Sequence, residues 1–271
     1  MIFHQTYYNF IVYIYALSLL FISADLYQKN RRAKQFGTGL LAFVWLLQTV
    51  FIVSRTVVSG YLAVHSMFET LFFFSWILCT AAFILQWIVR SYGYPFFISL
   101  SGFLLLMASL FFDPSSQNVL QDWHKERHFI TIHVLFAISG YAVFSISAVF
   151  SGTYLFLHRK LKERKWSLSM QRLPSLDRID LYAFRSVMIG VLLLLCSLIF
   201  GLAGIVLAQQ FEVLTDVKVL STVVLLTVYC LYALLHYRKD SYANRRAWYN
   251  MAAYAVLMIN MFVTNVISRF H

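Results

Sequence analysis

Eight long apolar segments, joined by shorter polar connections, make up most of this sequence. A hydrocarbon core about 30 Å thick needs about 20 apolar residues in a helix, since unpaired backbone groups are too costly in lipid. The sequence therefore predicts an all-α integral membrane protein, a polytopic bundle of about eight transmembrane helices. The predicted spans are 8–24, 37–54, 67–89, 95–112, 129–157, 181–208, 218–236 and 248–268.

The composition excludes an ordinary soluble protein. Hydrophobic residues make up 61% of the chain, charged residues 12%, and the mean hydropathy is +0.71, so much of the apolar surface must face lipid. The spans occupy nearly the whole chain and predict a single transmembrane domain, residues 1–271. The sequence has no Gly-rich phosphate loop, zinc-ligand spacing or serine, histidine and acid motif. We therefore expect a protein that is not an enzyme.

The distribution of Lys and Arg predicts the orientation. Most of the 22 cations fall in alternate loops, which become cytoplasmic if both chain ends lie outside. The exceptions are Arg55, Lys125, Arg127, Lys218 and Arg269. Because the net charge of +11 arises from these short loops, no nucleic-acid partner is expected. The largest basic loop, 158–178, is most simply a stop-transfer charge cluster; a segment on anionic lipid or a dock for a cytoplasmic protein are the alternatives.

Two of the eight histidines stand out by position. His133 lies about one turn inside the outer end of the fifth span, where a partly desolvated imidazole needs a hydrogen-bond partner or a metal. His271, the last residue of the sequence, follows the outer end of the eighth span. If the two spans are neighbours, the pair offers two axial ligands for a haem. Taken singly, each is more often an interfacial histidine. The nearby cation Arg127 is either solvated or a partner for porphyrin propionates.

Glu69 lies about one turn into the third span, where an ionised carboxylate is costly and marks a functional position by default. The alternative is a hydrogen-bonded side chain that holds helices together. Asn265, near the outer end of the eighth span, is a candidate partner for it. The sequence offers no second clearly buried acid for a paired-carboxylate site.

Four segments carry a family resemblance. Residues 65–76 resemble an Asn-x-Tyr-Glu-x-Leu-x-Phe-x-x-Trp motif, residues 130–144 a Leu-His-Val helix, residues 233–238 a Leu-His-x-Arg motif, and residues 245–271 a last helix that ends in histidine. In this order they are similar to the CcsA/CcmF-type cytochrome c assembly proteins, which handle haem. The shorter, HemX-like branch of Gram-positive bacteria is the most similar.

The resemblance implies a site. It assigns His133 and His271 as outer ligands of a non-covalent haem b, and His236 as a ligand of a second haem in the membrane. The family's tryptophan-rich haem-presenting signature is missing from residues 208–218, which favours the HemX-like branch over a cytochrome c synthase. Supporting residues within the similar segments are Glu69, His65, Asp216 and Lys218, and they join Asn265 and Arg127, which the positions in the predicted spans single out.

The resemblance also implies a function. It suggests a haem-binding protein of the plasma membrane of a Gram-positive bacterium that restrains the level of glutamyl-tRNA reductase, with loop 158–178 as the cytoplasmic contact. One alternative is a haem or organic-anion permease component of a cytochrome c maturation system. Another is a structural membrane subunit whose histidines are merely interfacial.

Overall fold

The computed structural model describes residues 2–28, 30–60, 62, 64–88, 93–112, 127–164, 174–237 and 243–267. These residues form eight α-helices and a short 3₁₀ helix at Phe211–Thr215, and no strand is found among them. Each of the eight predicted spans is confirmed as a helix. The helices are α1 Ile2–Gln28, α2 Arg31–Ser59, α3 Met67–Ile88, α4 Tyr94–Ser109, α5 Arg127–Lys162, α6 Leu176–Ala208, α7 Val217–Tyr237 and α8 Ala243–Ile267.

Six of the helices in the described residues are long and apolar enough to cross a membrane, judged by length and composition: α1, α2, α3, α5, α6 and α7. Helix α4 is apolar but has only 16 residues. The protein is thus an all-helical polytopic membrane protein. The spans of α4 and α8, and the orientation with both ends outside, stay predictions.

The helices form two compact units, one of α1 to α4 and one of α5 to α8; the single domain over residues 1–271 stays a prediction. In the first unit, buried tyrosines of α1 tie it to α4. The Tyr15 hydroxyl donates to the Ser99 carbonyl oxygen at 2.9 Å. A Cβ on Gly102 would lie 2.9 Å from that hydroxyl oxygen, so glycine there permits the close approach of the two helices.

The second unit is built on close packing of α5 against α6. A Cβ on Gly140 of α5 would lie 3.4 Å from the Gly190 carbonyl oxygen of α6, and one on Gly190 would lie 2.7 Å from the Phe144 ring. Phe144 then stacks on Tyr229 of α7, with ring centroids 3.8 Å apart. Small residues therefore bring α5 and α6 together and let an aromatic pair connect them to α7.

Helix α8 runs antiparallel to α5 in this unit. Near the start of α8, Asn250 donates from Nδ2 to the hydroxyls of Ser147 and Ser151, at 2.7 and 2.8 Å. Further along α8, Leu257 belongs to the same core cluster as Phe144. As residue numbers rise in α8 they fall in α5, so the C-terminal end of α8 points toward the N-terminal end of α5.

Candidate functional site

His133 is held by α6 through one ring nitrogen. Its Nδ1 lies 2.7 Å from the main-chain carbonyl oxygen of Ser197, and the Ser197 hydroxyl donates to the His133 carbonyl oxygen at 3.0 Å. The Ser197 hydroxyl also lies 3.0 Å from Nδ1. A carbonyl oxygen only accepts, so the hydrogen bond at Nδ1 requires the proton on that nitrogen. The tautomer fixed in this way leaves Nε2 with its lone pair, the form of imidazole that binds a metal.

Glycine on α6 makes room for this ring. A Cβ on Gly201 would lie 2.7 Å from His133 Nδ1 and 3.0 Å from its Cε1. One turn along, a Cβ on Gly204 would make ordinary contacts, 3.4 Å from Phe129 Cβ and 3.9 Å from Ile130 Cγ1. Phe136 of α5 and Phe200 of α6 stack on each other, with centroids 5.6 Å apart and planes within 4°. The imidazole therefore sits in a slot whose glycine wall a methyl group would close.

The register of α5 and α8 bears on the second predicted ligand, His271. His133 lies 11 residues before Phe144, a rise of about 16 Å along α5. The same rise along α8 from Ala253 and Leu257, members of the core cluster that contains Phe144, reaches the last residues of α8 that the structure describes, near Ile267. The described part of α8 thus ends close to the level of His133. His271 itself lies outside the described residues.

His236, the third predicted ligand, lies at the opposite end of the same unit. Its ring stacks on Phe184 of α6, with centroids 3.9 Å apart and planes within 8°. Its Nδ1 is 3.8 Å from Asp180 Oδ2, and Arg246 of α8 donates to the same oxygen at 2.7 Å. The side chains of Asp180 and Arg246 are 14% and 11% exposed. His236 therefore adjoins a mostly buried ion pair that ties α6 to α8.

Glu69 forms a capping box in the first unit. Its main-chain nitrogen donates to the Ser66 hydroxyl at 3.2 Å, and its Oε2 accepts from the backbone nitrogens of His65 and Ser66 at 3.2 and 3.4 Å. Its Oε1 accepts from Arg55 Nη2 at 3.0 Å. The side chain is 5% exposed. These contacts match the alternative interpretation of Glu69, a hydrogen-bonded residue that holds helices together.

The other predicted supporting residues are placed only in part. The His65 imidazole is partly buried next to the capping box. The main-chain carbonyl of Asp216 accepts from the nitrogens of Val219 and Leu220 at the start of α7. The helices include Lys218, Asn265 and Arg127, but their side chains lie outside the described part of the structure. Among the residues described, no group of three or more His, Cys, Asp or Glu side chains could hold a metal ion.

Sequence reasoning missed several partners of the predicted residues. The Ser-x-x-Glu pattern at residues 66–69 is a visible signal for the capping box. The spacing of Gly201 and Gly204, one turn apart in an apolar helix, is a weaker signal for a close helix contact. The contact made by the Ser197 carbonyl has no sequence signal, because every residue carries that group.

Comparison with known proteins gives two kinds of match. The family described as "Cytochrome C assembly protein" matches residues 64–271. Over the full chain, the sequence is 36% identical to Protein HemX of Brevibacillus brevis across 266 residues, which is 97% of this chain and 96% of the relative. It is 34% identical to Protein HemX of Bacillus subtilis (strain 168) across 260 residues, which is 96% of this chain and 94% of the relative.

Proposed function

The chain belongs to the cytochrome C assembly protein family, and from that premise we propose that it is a non-enzymatic membrane protein that binds haem b without a covalent link. His133 and His271 are the residues that would hold its iron. The observation that carries the proposal is the hydrogen bond from His133 Nδ1 to the Ser197 carbonyl oxygen. A backbone carbonyl is a usual partner for the other ring nitrogen of a metal-binding histidine, because it orients the ring and raises the basicity of the nitrogen that binds the metal.

The residues present fit a haem ligand on two further counts. Both contacts of the His133 ring with Ser197 are made through Nδ1, so the ring is anchored on one side and Nε2 is left for iron. A Cβ at position 201 would intrude on the space that the His133 ring occupies, so glycine at this position keeps that space open for the ring. Bound haem would supply a redox-active or exchangeable iron centre; the chain's own residues fix one ligand's tautomer and orientation.

The register of α8 supports His271 as the second ligand. The described part of α8 ends near the level of His133, and His271 follows Ile267 by four positions. Extended chain covers up to about 3.5 Å per residue, so these residues are enough to cross the width of a helix, about 10 Å. Two imidazoles from the same unit would suit the iron of a haem b.

The absorption spectrum of the purified protein tests this proposal. The wild type, purified or reconstituted with haem, is expected to show a Soret band. His133→Ala and His271→Ala should each lose most of it, and His128→Ala, an exposed histidine at the start of the same helix, should keep it. A wild-type protein that stays free of haem after reconstitution contradicts the proposal, and so does a full Soret band in His133→Ala.

His236 is proposed as a ligand of a second haem. Its Nδ1 is buried without a hydrogen bond to the described residues, although the Asp180 and Arg246 pair beside it offers a purely structural explanation. Haem titration distinguishes the ligand role from the structural role. If His236→Ala binds one equivalent of haem where the wild type binds two, His236 is a ligand. If the stoichiometry is unchanged, the His236 ring serves packing.

We also propose that the protein lies in the plasma membrane and restrains the level of glutamyl-tRNA reductase from the cytoplasmic side. The exposed cations Lys162 and Arg164, at the start of the described edge of loop 158–178, provide a contact surface for such a partner. A maturation partner of cytochrome c is the alternative. Deletion of the gene should raise reductase abundance; if abundance stays the same, this part of the proposal fails while haem binding stands.

A further inference from the structure

Helix α6 has two sharply different faces. One face is buried in the unit of α5 to α8 and consists of small and aliphatic residues, among them Ala183, Val187 and Leu194. The opposite face is exposed and repeats every three or four residues, as expected for one side of a helix. Its apolar members include Met188, Ile189, Leu192, Ile199, Leu202 and Val206. In a membrane protein, a continuous exposed apolar face of this kind borders lipid.

Two arginines stand on this lipid-facing side. Arg178 and Arg185 are seven residues apart, which places them within about 20° of each other around the helix and about 10 Å apart along it. Both are exposed. Neither makes an ion pair or hydrogen bond with any residue that the structure describes. They differ from Arg246, at the same end of the unit, which is mostly buried and paired with Asp180.

The length of α6 sets the depth of these arginines. The helix has 33 residues, about 50 Å, whereas a hydrocarbon core takes about 20 residues. Every charged residue of α6 lies at or before Arg185, and residues 186–208 carry no charge. The hydrocarbon core therefore covers the uncharged part, and Arg178 and Arg185 fall at the level of the headgroups.

From this arrangement we propose that Arg178 and Arg185 form a binding site for the headgroup of an anionic phospholipid, whose acyl chains lie along the apolar face from Met188 to Val206. Arginine presents a planar set of donors that suits two phosphate oxygens at once. Two such groups along one helix face, directly above an apolar stripe, match the layout of a phospholipid. Dispersed loop cations would attract anionic membranes without selecting a lipid position.

Native mass spectrometry in detergent tests the site, with phosphatidylglycerol as the ligand and phosphatidylcholine as the neutral comparison. A cation near the membrane surface contributes about 1 kcal/mol, or about fivefold in affinity. Arg185→Gln should therefore weaken phosphatidylglycerol binding about fivefold, and Arg178→Gln with Arg185→Gln by tenfold or more. The matched control is Lys162→Gln with Arg164→Gln, which removes the same charge from exposed residues at the end of α5 and should change binding less than twofold.

Each outcome decides the proposal. An equal loss in the control pair would show diffuse attraction and overturn it, as would unchanged binding in the arginine pair. Displacement of the lipid by inorganic phosphate at equal concentration would show a simple anion site and also overturn it. If the glutamine pair does not fold, Arg178→Lys with Arg185→Lys keeps the charge and removes the planar donors; wild-type lipid affinity in that variant counts against the site.

Discussion

His133 and Ser197 form two hydrogen bonds in opposite directions. His133 Nδ1 donates to the Ser197 carbonyl oxygen at 2.7 Å, and the Ser197 hydroxyl donates to the His133 carbonyl oxygen at 3.0 Å. The ring is thus oriented by main chain, which no substitution at position 197 removes. Rotation of α5 against α6 would break both contacts. The orientation of the proposed haem ligand is therefore a property of the helix pair.

Ser197→Ala should consequently be mild. The variant loses the hydroxyl contacts but keeps the carbonyl that fixes the histidine tautomer, so the expected cost is about 1 kcal/mol of unfolding free energy, that of a single hydrogen bond. The Soret band at saturating haem should be unchanged. Thermal unfolding in detergent and a haem titration measure the two effects. Loss of the haem band in this variant would mean that the hydroxyl, not the carbonyl, orients the ring.

Gly201→Ala should strongly weaken the binding of haem. Its new methyl group would lie 2.7 Å from His133 Nδ1, closer than atoms pack, so the ring must leave its slot. We expect at least a tenfold weaker haem affinity, measured by titration of the Soret band. Gly204→Ala is the control, because its methyl group would make an ordinary contact of 3.4 Å with Phe129. Similar haem affinities in the two variants would contradict the slot.

Glu69→Ala should destabilise the first unit by about 2 kcal/mol, because it removes the acceptor of Arg55 and of two helix-start N–H groups together. Glu69→Gln keeps an acceptor for the N–H groups and should cost less. Glu163→Gln is the control; its pair with Arg159 is largely exposed and should contribute less than about 0.5 kcal/mol. Thermal unfolding measures all three. Equal effects at positions 69 and 163 would show that the capping box is unimportant.

The eight helices are predictable from sequence because their cause is local: each apolar segment must satisfy its own backbone hydrogen bonds in lipid. Their ends are less predictable. Helix α6 starts at Leu176 although its apolar span begins near residue 181, since a helix continues through charged residues into the headgroup layer. The same holds for the end of α5 at Lys162.

The site is predictable only as single residues. A histidine one turn inside a span is conspicuous, and the family motif draws attention to it, but its partner is a main-chain carbonyl 64 positions away. The pair of Asp180 and Arg246 is separated by 66 positions. Such partners depend on helix packing, which hydropathy does not encode.

Asp180→Asn should destabilise the second unit by about 3 kcal/mol, because it leaves the mostly buried Arg246 without its charged partner. Asp180→Asn with Arg246→Gln should cost less than the sum of the two single variants, since the pair acts as a unit. Thermal unfolding of the wild type, the two single variants and the double variant gives the double-mutant cycle. Additive effects would show that the contact at 2.7 Å contributes no coupling.

The orientation of the membrane spans is the prediction on which the proposed haem site depends most. The antiparallel register of α5 and α8 brings Ile267 near the level of His133, so the proposed ligand pair requires His133 and His271 to lie on the same side of the membrane. The Lys and Arg distribution predicts that this is the outer side. A reporter fused after His271 that is active only outside the cell should therefore be active. The same reporter inserted in loop 158–178 should be silent, which checks that the signal reflects topology. Activity in the loop and silence after His271 would invert the topology and move the proposed haem to the cytoplasmic face.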